Sequence, residues 1–325
     1  MSNASSIDYT DTTSNYLGVM RVVGANQTPF MNMMTGGSIR GYKPAPGFEY
    51  PMEQYASLES AAQRAVAEST AVAGTGTPRT YVKAQRTNTA QIMYYPIEVS
   101  YAKASERLKI AGVTYTNQAD VMEDELAFQE RMTLMQLGID MEYSCLQGTY
   151  LSKSAYTTIS TTRGIIEAVT AGHCKVNAAA VYSDAKLSKA KVDDLSKLLA
   201  DYGAPMTQPV IFAGSFQMQK LSDLYGWSPI GGAGAGLGGV RVNRLITQFF
   251  EADVVFAPQM PAGTLLIADM DKCQLRGIEV PGMGAIVLEE KGKVGAANSY
   301  QLYCQLGMDY GDPDFHGVIY GLATS

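Results

Sequence analysis

Few residues in this sequence are of a type and spacing that could do chemistry. Residues 234–239 read Gly-Ala-Gly-Leu-Gly-Gly, which meets the spacing of a dinucleotide-binding fingerprint. That motif works only where a strand precedes it and a helix follows, so that the helix amino end faces the pyrophosphate. Here Tyr225-Gly226-Trp227-Ser228-Pro229 reads as a turn and Val240-Arg241-Val242-Asn243-Arg244 as a strand, so the run is read as a flexible loop. His173 and His316 are the only imidazoles. His173 adjoins Cys174, but neighbouring side chains point apart on either kind of element, which does not pair a nucleophile with its base. Both histidines are read as structural or exposed.

Asp120, Glu123, Asp124 and Glu125 gather where a helix begins. Carboxylates suit that positive end, and no histidine or further carboxylate motif joins them as metal ligands. Cys145, Cys174, Cys273 and Cys304 lie far apart, without the close pairs of zinc or redox motifs, and read as free buried thiols. Phosphate-loop, metalloprotease and nucleophile-elbow patterns are absent from the sequence. The expectation is no catalytic residue, no cofactor and no metal.

Composition narrows the class. The 325 residues are 46% hydrophobic but only 17% charged, against about 25% charged in an average soluble protein. Length favours about two domains. Lys plus Arg number 25 and Asp plus Glu 31, a net charge of −6, where a dedicated nucleic-acid binder is basic. Arg40, Arg79, Lys83 and Arg86 are too few and too interleaved with Thr, Gln and Asn for a nucleic-acid groove. No stretch has the roughly 20 apolar residues that cross a bilayer, and the opening lacks a basic then apolar leader, so a soluble, unexported chain is expected. With 20 Tyr, 17 Met and 32 Gly among so few charges, part of the surface is expected to meet other subunits, since Tyr and Met are enriched at interfaces.

The elements read as follows. Residues 1–27 show no sustained period and read as an extended arm held by a partner. The stretch 35–103 is too long for an idle loop. Within it, Ala-rich 57–70 reads as a short helix, and 91–101 as a strand with large side chains on both faces, placed at a sheet edge by Pro96. Its strands share no long apolar period with the rest of the chain, so 36–100 reads as separable from the body. A helix is expected over 118–150, with Val121, Phe128, Met132, Met135, Ile139, Tyr143 and Leu146 as its buried stripe. At 1.5 Å per residue it is roughly 45–50 Å long, a spine rather than an ordinary helix. Helices over 188–202 and 215–226 alternate with strands over 209–213, 240–247, 253–257 and 264–269, and late strands follow over 284–290 and 300–309. The fold class is α+β.

In that order, arm, long excursion, spine helix, compact domain and returning strands, the chain resembles the major capsid protein of tailed bacteriophages with the Hong-Kong-97-type fold. Thr28-Pro29-Phe30, the run Arg86-Thr87-Asn88-Thr89-Ala90-Gln91-Ile92, Glu142 with Leu146 and Gly148, Arg163-Gly164-Ile165-Ile166, and Met260-Pro261-Ala262-Gly263-Thr264 carry the likeness. The resemblance implies an N-terminal arm over 1–34 and an extended loop over 35–103. It implies a peripheral domain over 104–180 and 271–325 with the spine helix, and an axial domain over 181–270. The loop would lie over a neighbouring subunit, with Tyr42, Phe48, Tyr50, Tyr55, Arg86 and Tyr94 as the expected subunit contacts. In the best-known relative a lysine and an asparagine crosslink, but no such pair aligns here and no catalytic role is carried over.

The function implied is a structural, non-enzymatic shell protein, assembling as pentamers and hexamers into an icosahedral head in the bacterial cytoplasm. The partners implied are further copies, a separate scaffolding protein, a portal, a decoration protein and non-specifically packaged DNA, with no membrane. Three other readings stand beside it: an encapsulin-type compartment, another virion component, and a nucleotide-binding enzyme using the 231–239 glycine run.

Overall fold

A computed structural model describes residues 27–36, 41–55, 61–63, 65–74, 80–101, 125–181, 184–225, 243–291 and 295–324. In chain order the elements are α1 (Pro29–Thr35), β1 (Lys43–Pro44), β2 (Glu49–Tyr55), α2 (Glu68–Ala73), β3 (Ala84–Thr89), β4 (Gln91–Ser100), α3 (Glu125–Gln147), α4 (Ile165–Ala171), β5 (Lys175–Asn177) and α5 (Ala178–Val181). They continue with α6 (Lys189–Asp201), β6 (Pro209–Ala213), α7 (Ser215–Tyr225), β7 (Asn243–Ile246), β8 (Glu251–Phe256), β9 (Leu265–Asp269), β10 (Gln274–Gly277), β11 (Ile286–Lys291), β12 (Ala297–Asp309) and β13 (Gly317–Tyr320). No helix among the described residues is long and apolar enough to cross a membrane.

Two sheets organise this α+β chain. The first is built on β12, which β4 joins antiparallel from Ser100 opposite Ala297 to Gln91 opposite Leu306. β11 and β10 also pair with β12, and β1 adds to β10 in parallel. The second runs β5-β13-β9-β6-β8-β7. Every residue of β6 and β9 is buried, as expected of central strands covered on both faces, which explains their unbroken apolar runs. β2 and β3 form a separate two-stranded hairpin, with a register shift between Pro51 and Gln54.

Several local expectations match. α6 buries Val192, Leu195 and Leu199 at steps of three and four, the apolar stripe of a surface helix. Ser188 stands at its N-cap position, although its side chain makes no capping bond. β4 pairs only with β12 among the described strands, which leaves Pro96 at an edge.

Other expectations are corrected. Residues 61–63 and 65–67 are not helical, and the helix is the short, exposed α2, because the thin alanine face has no apolar partner. The stretch 36–100 is not separable from the body: β4 is zipped along ten residues of β12, and Tyr50 is 1% exposed. At the end of the 1–34 span expected for the arm, α1 is folded onto the core with Phe30 buried edge-on against Phe212, ring centroids 5.1 Å apart. The six-stranded sheet takes β5 and β13 from outside the 181–270 span expected for the axial domain.

The spine helix is turned. Its buried residues are Leu137, Met141, Glu142, Cys145 and Leu146, while Tyr143 is 51% exposed and Met135 and Ile139 are half-buried. Apolar residues occur all round α3, so periodicity could not choose the face. The choice was made by the surfaces available, β4, β12, α1 and α4. Residues 1–26 of the arm, the expected helix start at 118 and the 231–239 glycine run lie outside the described residues.

Candidate functional site at the base of the hairpin

β3 leads into β4 beside the end of the spine helix, and there most of the words that carry the resemblance come together. Asn88 is fully buried. Its Nδ2 donates to the carbonyls of Met308 (2.7 Å) and Arg163 (3.2 Å), and its Oδ1 accepts from the amides of Arg163 (2.9 Å) and Thr89 (2.8 Å). One amide side chain thus closes four backbone valences in three chain segments, and satisfied networks of this kind fix a unique geometry. Tyr50 adds a hydroxyl bond to the Met308 carbonyl at 2.8 Å, and the Met308 amide donates to Thr162 Oγ1 at 3.2 Å.

The spine helix is tied to the same place. Gln91 Nε2 donates to Ser144 Oγ at 2.9 Å, and Tyr95 donates to Asp140 at 2.6 Å. Strand residues four apart therefore meet helix residues four apart. Gly148 and Gly164 lie back to back where the helix ends, with the Gly164 amide donating to the Gly148 carbonyl at 2.8 Å. A Cβ on Gly164 would stand 2.5 Å from the Gly148 nitrogen, and one on Gly148 would stand 2.3 Å from the Ser144 carbonyl oxygen. Only glycine permits that approach. Gly307 does the same for the hairpin, where a Cβ would reach the Tyr50 hydroxyl at 2.5 Å and the Thr89 carbonyl at 3.0 Å.

Glu142 faces α1, and its Oε2 accepts from the Met31 amide at 3.3 Å, while Oε1 finds no hydrogen-bond partner among the described residues. Burial pushes this carboxyl up from 4.5 to about 8, against the opposing bonds from the α1 backbone. The group is therefore neutral at pH 7, which suits an oxygen left without a donor. Cys145, Cys174, Cys273 and Cys304 are all free and buried, and burial raises each thiol well above its ordinary value. A raised thiol is a poor nucleophile. Among the described residues no cluster of three or more His, Cys, Asp or Glu is placed to hold a metal. What the arrangement can do is mechanical: it sets the direction in which the hairpin leaves the body.

The expected contact residues divide. Tyr50 is corrected to a core residue of its own chain, because its hydroxyl is satisfied on β12 and its ring is buried. Tyr42 and Phe48 also pack on the chain's own core, Tyr42 against Gly277 with its hydroxyl accepting from Ala285, and Phe48 under Lys153 at 3.6 Å. Arg86 lies 3.7 Å from Asp312, and Tyr94 is half-exposed with its hydroxyl bonded to Lys291. The side chain of Tyr55 lies outside the described residues. The sequence reading missed Tyr156 (98% exposed) and Ile159 (73%) on the loop after α3, and Phe249 and Ile246 at the β7–β8 turn. Tyr156 and Ile159 stand in a Ser/Thr-rich stretch whose pattern offers no element to bury them, and that was the available signal.

A family model described as the SU10 major capsid protein matches residues 3–323. A sequence search of curated proteins finds no match. Among solved structures the fold is similar to the Cyanophage A-1(L) capsid, at TM-score 0.60 and 12% identity over 99% of this chain and 100% of that one. It is similar to the capsid of the native GTA particle at 0.59 and 9% identity, covering 95% of each. The SrpI encapsulin of Synechococcus elongatus PCC 7942 is similar at 0.58 and 12%, over 97% and 95%.

Proposed function

The chain belongs to the SU10 major capsid protein family, and from that premise we propose that its copies assemble as pentamers and hexamers into the icosahedral head of a tailed phage around double-stranded DNA. Its role is structural, it is a component of the virion shell, and its principal partner is itself. The observation that carries the reading is the family match, which runs over nearly the whole chain rather than over one domain. The Hong-Kong-97-type fold is common to phage capsids and to an encapsulin, so the fold alone does not separate a head from a compartment, and the family match favours the head.

The physical chemistry supports this reading. Tyr156, Ile159, Tyr143, Leu134, Phe249 and Ile246 expose apolar surface on three separate parts of the chain. A shell subunit needs contacts on several sides, and engagement at several sites multiplies modest affinities. A net charge of −6 gives weak attraction to packaged DNA, so contacts with it are non-specific. A separate scaffolding protein, a portal and a decoration protein complete the assembly, which takes place in the host cytoplasm. The test is electron microscopy of the full chain, expressed alone and with its neighbouring genes, beside a sizing column. Closed shells, or rings of five or six, are expected. Uniform small particles under both conditions would overturn the reading, and shells that enclose a cargo enzyme would replace the head by a compartment.

A further inference from the structure

Among the described residues the chain passes between its two larger sheets three times: from α4 into β5, from β9 into β10, and from β12 into β13. The second and third passages are built alike. In the second, Asp269 accepts from the Asp271 amide at 3.2 Å and a 3-10 turn over Met270–Lys272 follows. In the third, Asp312 accepts from the Asp314 amide at 3.1 Å and a 3-10 turn over Pro313–Phe315 follows. The two histidines of the sequence sit on these passages, and each bonds to a passage other than its own. His173, on the first, donates its amide to Asp314 Oδ1 at 2.9 Å and sets its Nδ1 2.9 Å from Asp314 Oδ2. His316, on the third, accepts the Asp269 amide on Nδ1 at 3.1 Å, and its Nε2 lies 2.7 Å from the Tyr310 carbonyl.

These bonds fix the state of His316. A carbonyl needs a donor, so Nε2 carries the proton and Nδ1 must be bare to receive the Asp269 amide. The ring is fully buried. We propose that His316 is a protonation-controlled pin of the junction: neutral, it locks the second and third passages together, and protonated, it sets one N–H against another and frees them.

The surrounding charges do not rescue the protonated ring. Asp269 Oδ1 and Oδ2 already accept the Gln208 and Thr207 amides at 2.9 and 3.0 Å. Asp312 holds the Asp314 amide and lies 3.7 Å from Arg86, and Asp309 is bonded to Arg276 at 2.7 Å. Burial lowers the His316 pKa from its ordinary 6.5, opposed by the Tyr310 carbonyl, Asp269 and Asp312. Release therefore sets in below pH 6.5. The first passage is tied to the third independently of His316, since Asp314 takes both the backbone amide and the Nδ1 contact of His173. Acid thus opens the contact between the second and third passages while the first stays tied to the third, which makes a hinge rather than a break. The inference concerns the fold and holds whether or not the subunit is in a shell.

The test is hydrogen exchange of the full-length protein, read by mass spectrometry on peptides spanning 265–273 and corrected for the intrinsic pH dependence. Between about pH 7.5 and about pH 4.5, protection there is expected to fall roughly tenfold more than in peptides from β6 or β12, as for a locally opened unit. His316→Asn keeps an acceptor near the Nδ1 position and cannot be protonated, so its protection is expected to be independent of pH. Equal protection of the wild type at both pH values, or the same acid step in the variant, overturns the proposal. Should the variant fail to fold, the wild type decides alone. With only two imidazoles, 13C labelling of the histidine rings gives two signals, and the buried one must become imidazolium over the pH interval in which protection is lost. Protection lost over a neutral ring, or kept over a charged one, refutes the pin.

Discussion

Glu142→Gln separates the charge of the buried carboxyl from its hydrogen bond. In the folded chain burial holds Glu142 protonated up to about pH 8, whereas in the unfolded chain it ionises near 4.5. Between those values the native state binds one proton more than the unfolded state, so stability falls as pH rises. The slope is about 1.4 kcal/mol per pH unit, and the whole interval amounts to about 4–5 kcal/mol. Below 4.5 and above 8 this contribution is flat. Glutamine retains an oxygen for the Met31 amide but never ionises, and its amide hydrogens replace a carboxyl proton that also lacked a partner. At pH 5 the variant and the wild type are therefore expected within about 1–2 kcal/mol of each other. At pH 9 the variant is expected to lead by about 3 kcal/mol, the ionisation cost less that difference. Urea unfolding of unassembled subunits at pH 5, 7 and 9, followed by far-ultraviolet circular dichroism, measures both. Subtracting wild type from variant cancels other groups, including His316, whose lowered pKa acts in the opposite direction. A wild-type-minus-variant difference that does not change between pH 5 and pH 9 refutes the argument, because it would mean that the carboxyl is ionised in the fold or reached by water.

Asn88→Ala removes four hydrogen bonds at the hairpin base and leaves buried backbone groups unpaired. It is expected to cost about 3–4 kcal/mol in the same urea assay, and a loss below 1 kcal/mol would show that water replaces the side chain. Gly164→Ala puts a methyl against the Gly148 and Leu146 backbones, neither of which can swing aside, so a clear fall in melting temperature or insoluble protein is expected. Met141→Asp buries an unpaired charge and is expected to abolish folding, whereas Tyr143→Asp, on the exposed side of the same helix, leaves circular dichroism unchanged and alters assembly on a sizing column. If the two behave alike, the face of the spine helix is misassigned.

The hairpin base shows how far residue types carried and where they stopped. The words around Asn88, Glu142, Gly148 and Gly164 could be picked out in the sequence, but nothing in their spacing says that they meet, since Asn88 and Met308 are 220 residues apart. A contact of that separation is decided by which sheet edges pair, not by any local pattern. The same reason explains Tyr50: as one more aromatic in a projecting segment it read as a contact for a neighbour, and only the glycine at 307, bringing β12 close beneath it, makes it core.

Where a segment carried its own period and stop signals, the sequence determined the element. The buried runs of β6 and β9 and the stripe and glycine stop of α6 needed no partner to be read, because alternation, helical spacing and backbone punctuation are properties of neighbouring residues. Family likeness was also legible, in the order of the elements. The tertiary structure alone decided which side of α3 faces inward, that α1 belongs to the core, that β4 completes the sheet on β12, and that two histidines 143 residues apart tie the same junction. Each of these depends on which of several equally apolar or polar surfaces finds a complementary one, and that choice is made by packing between distant parts of the chain.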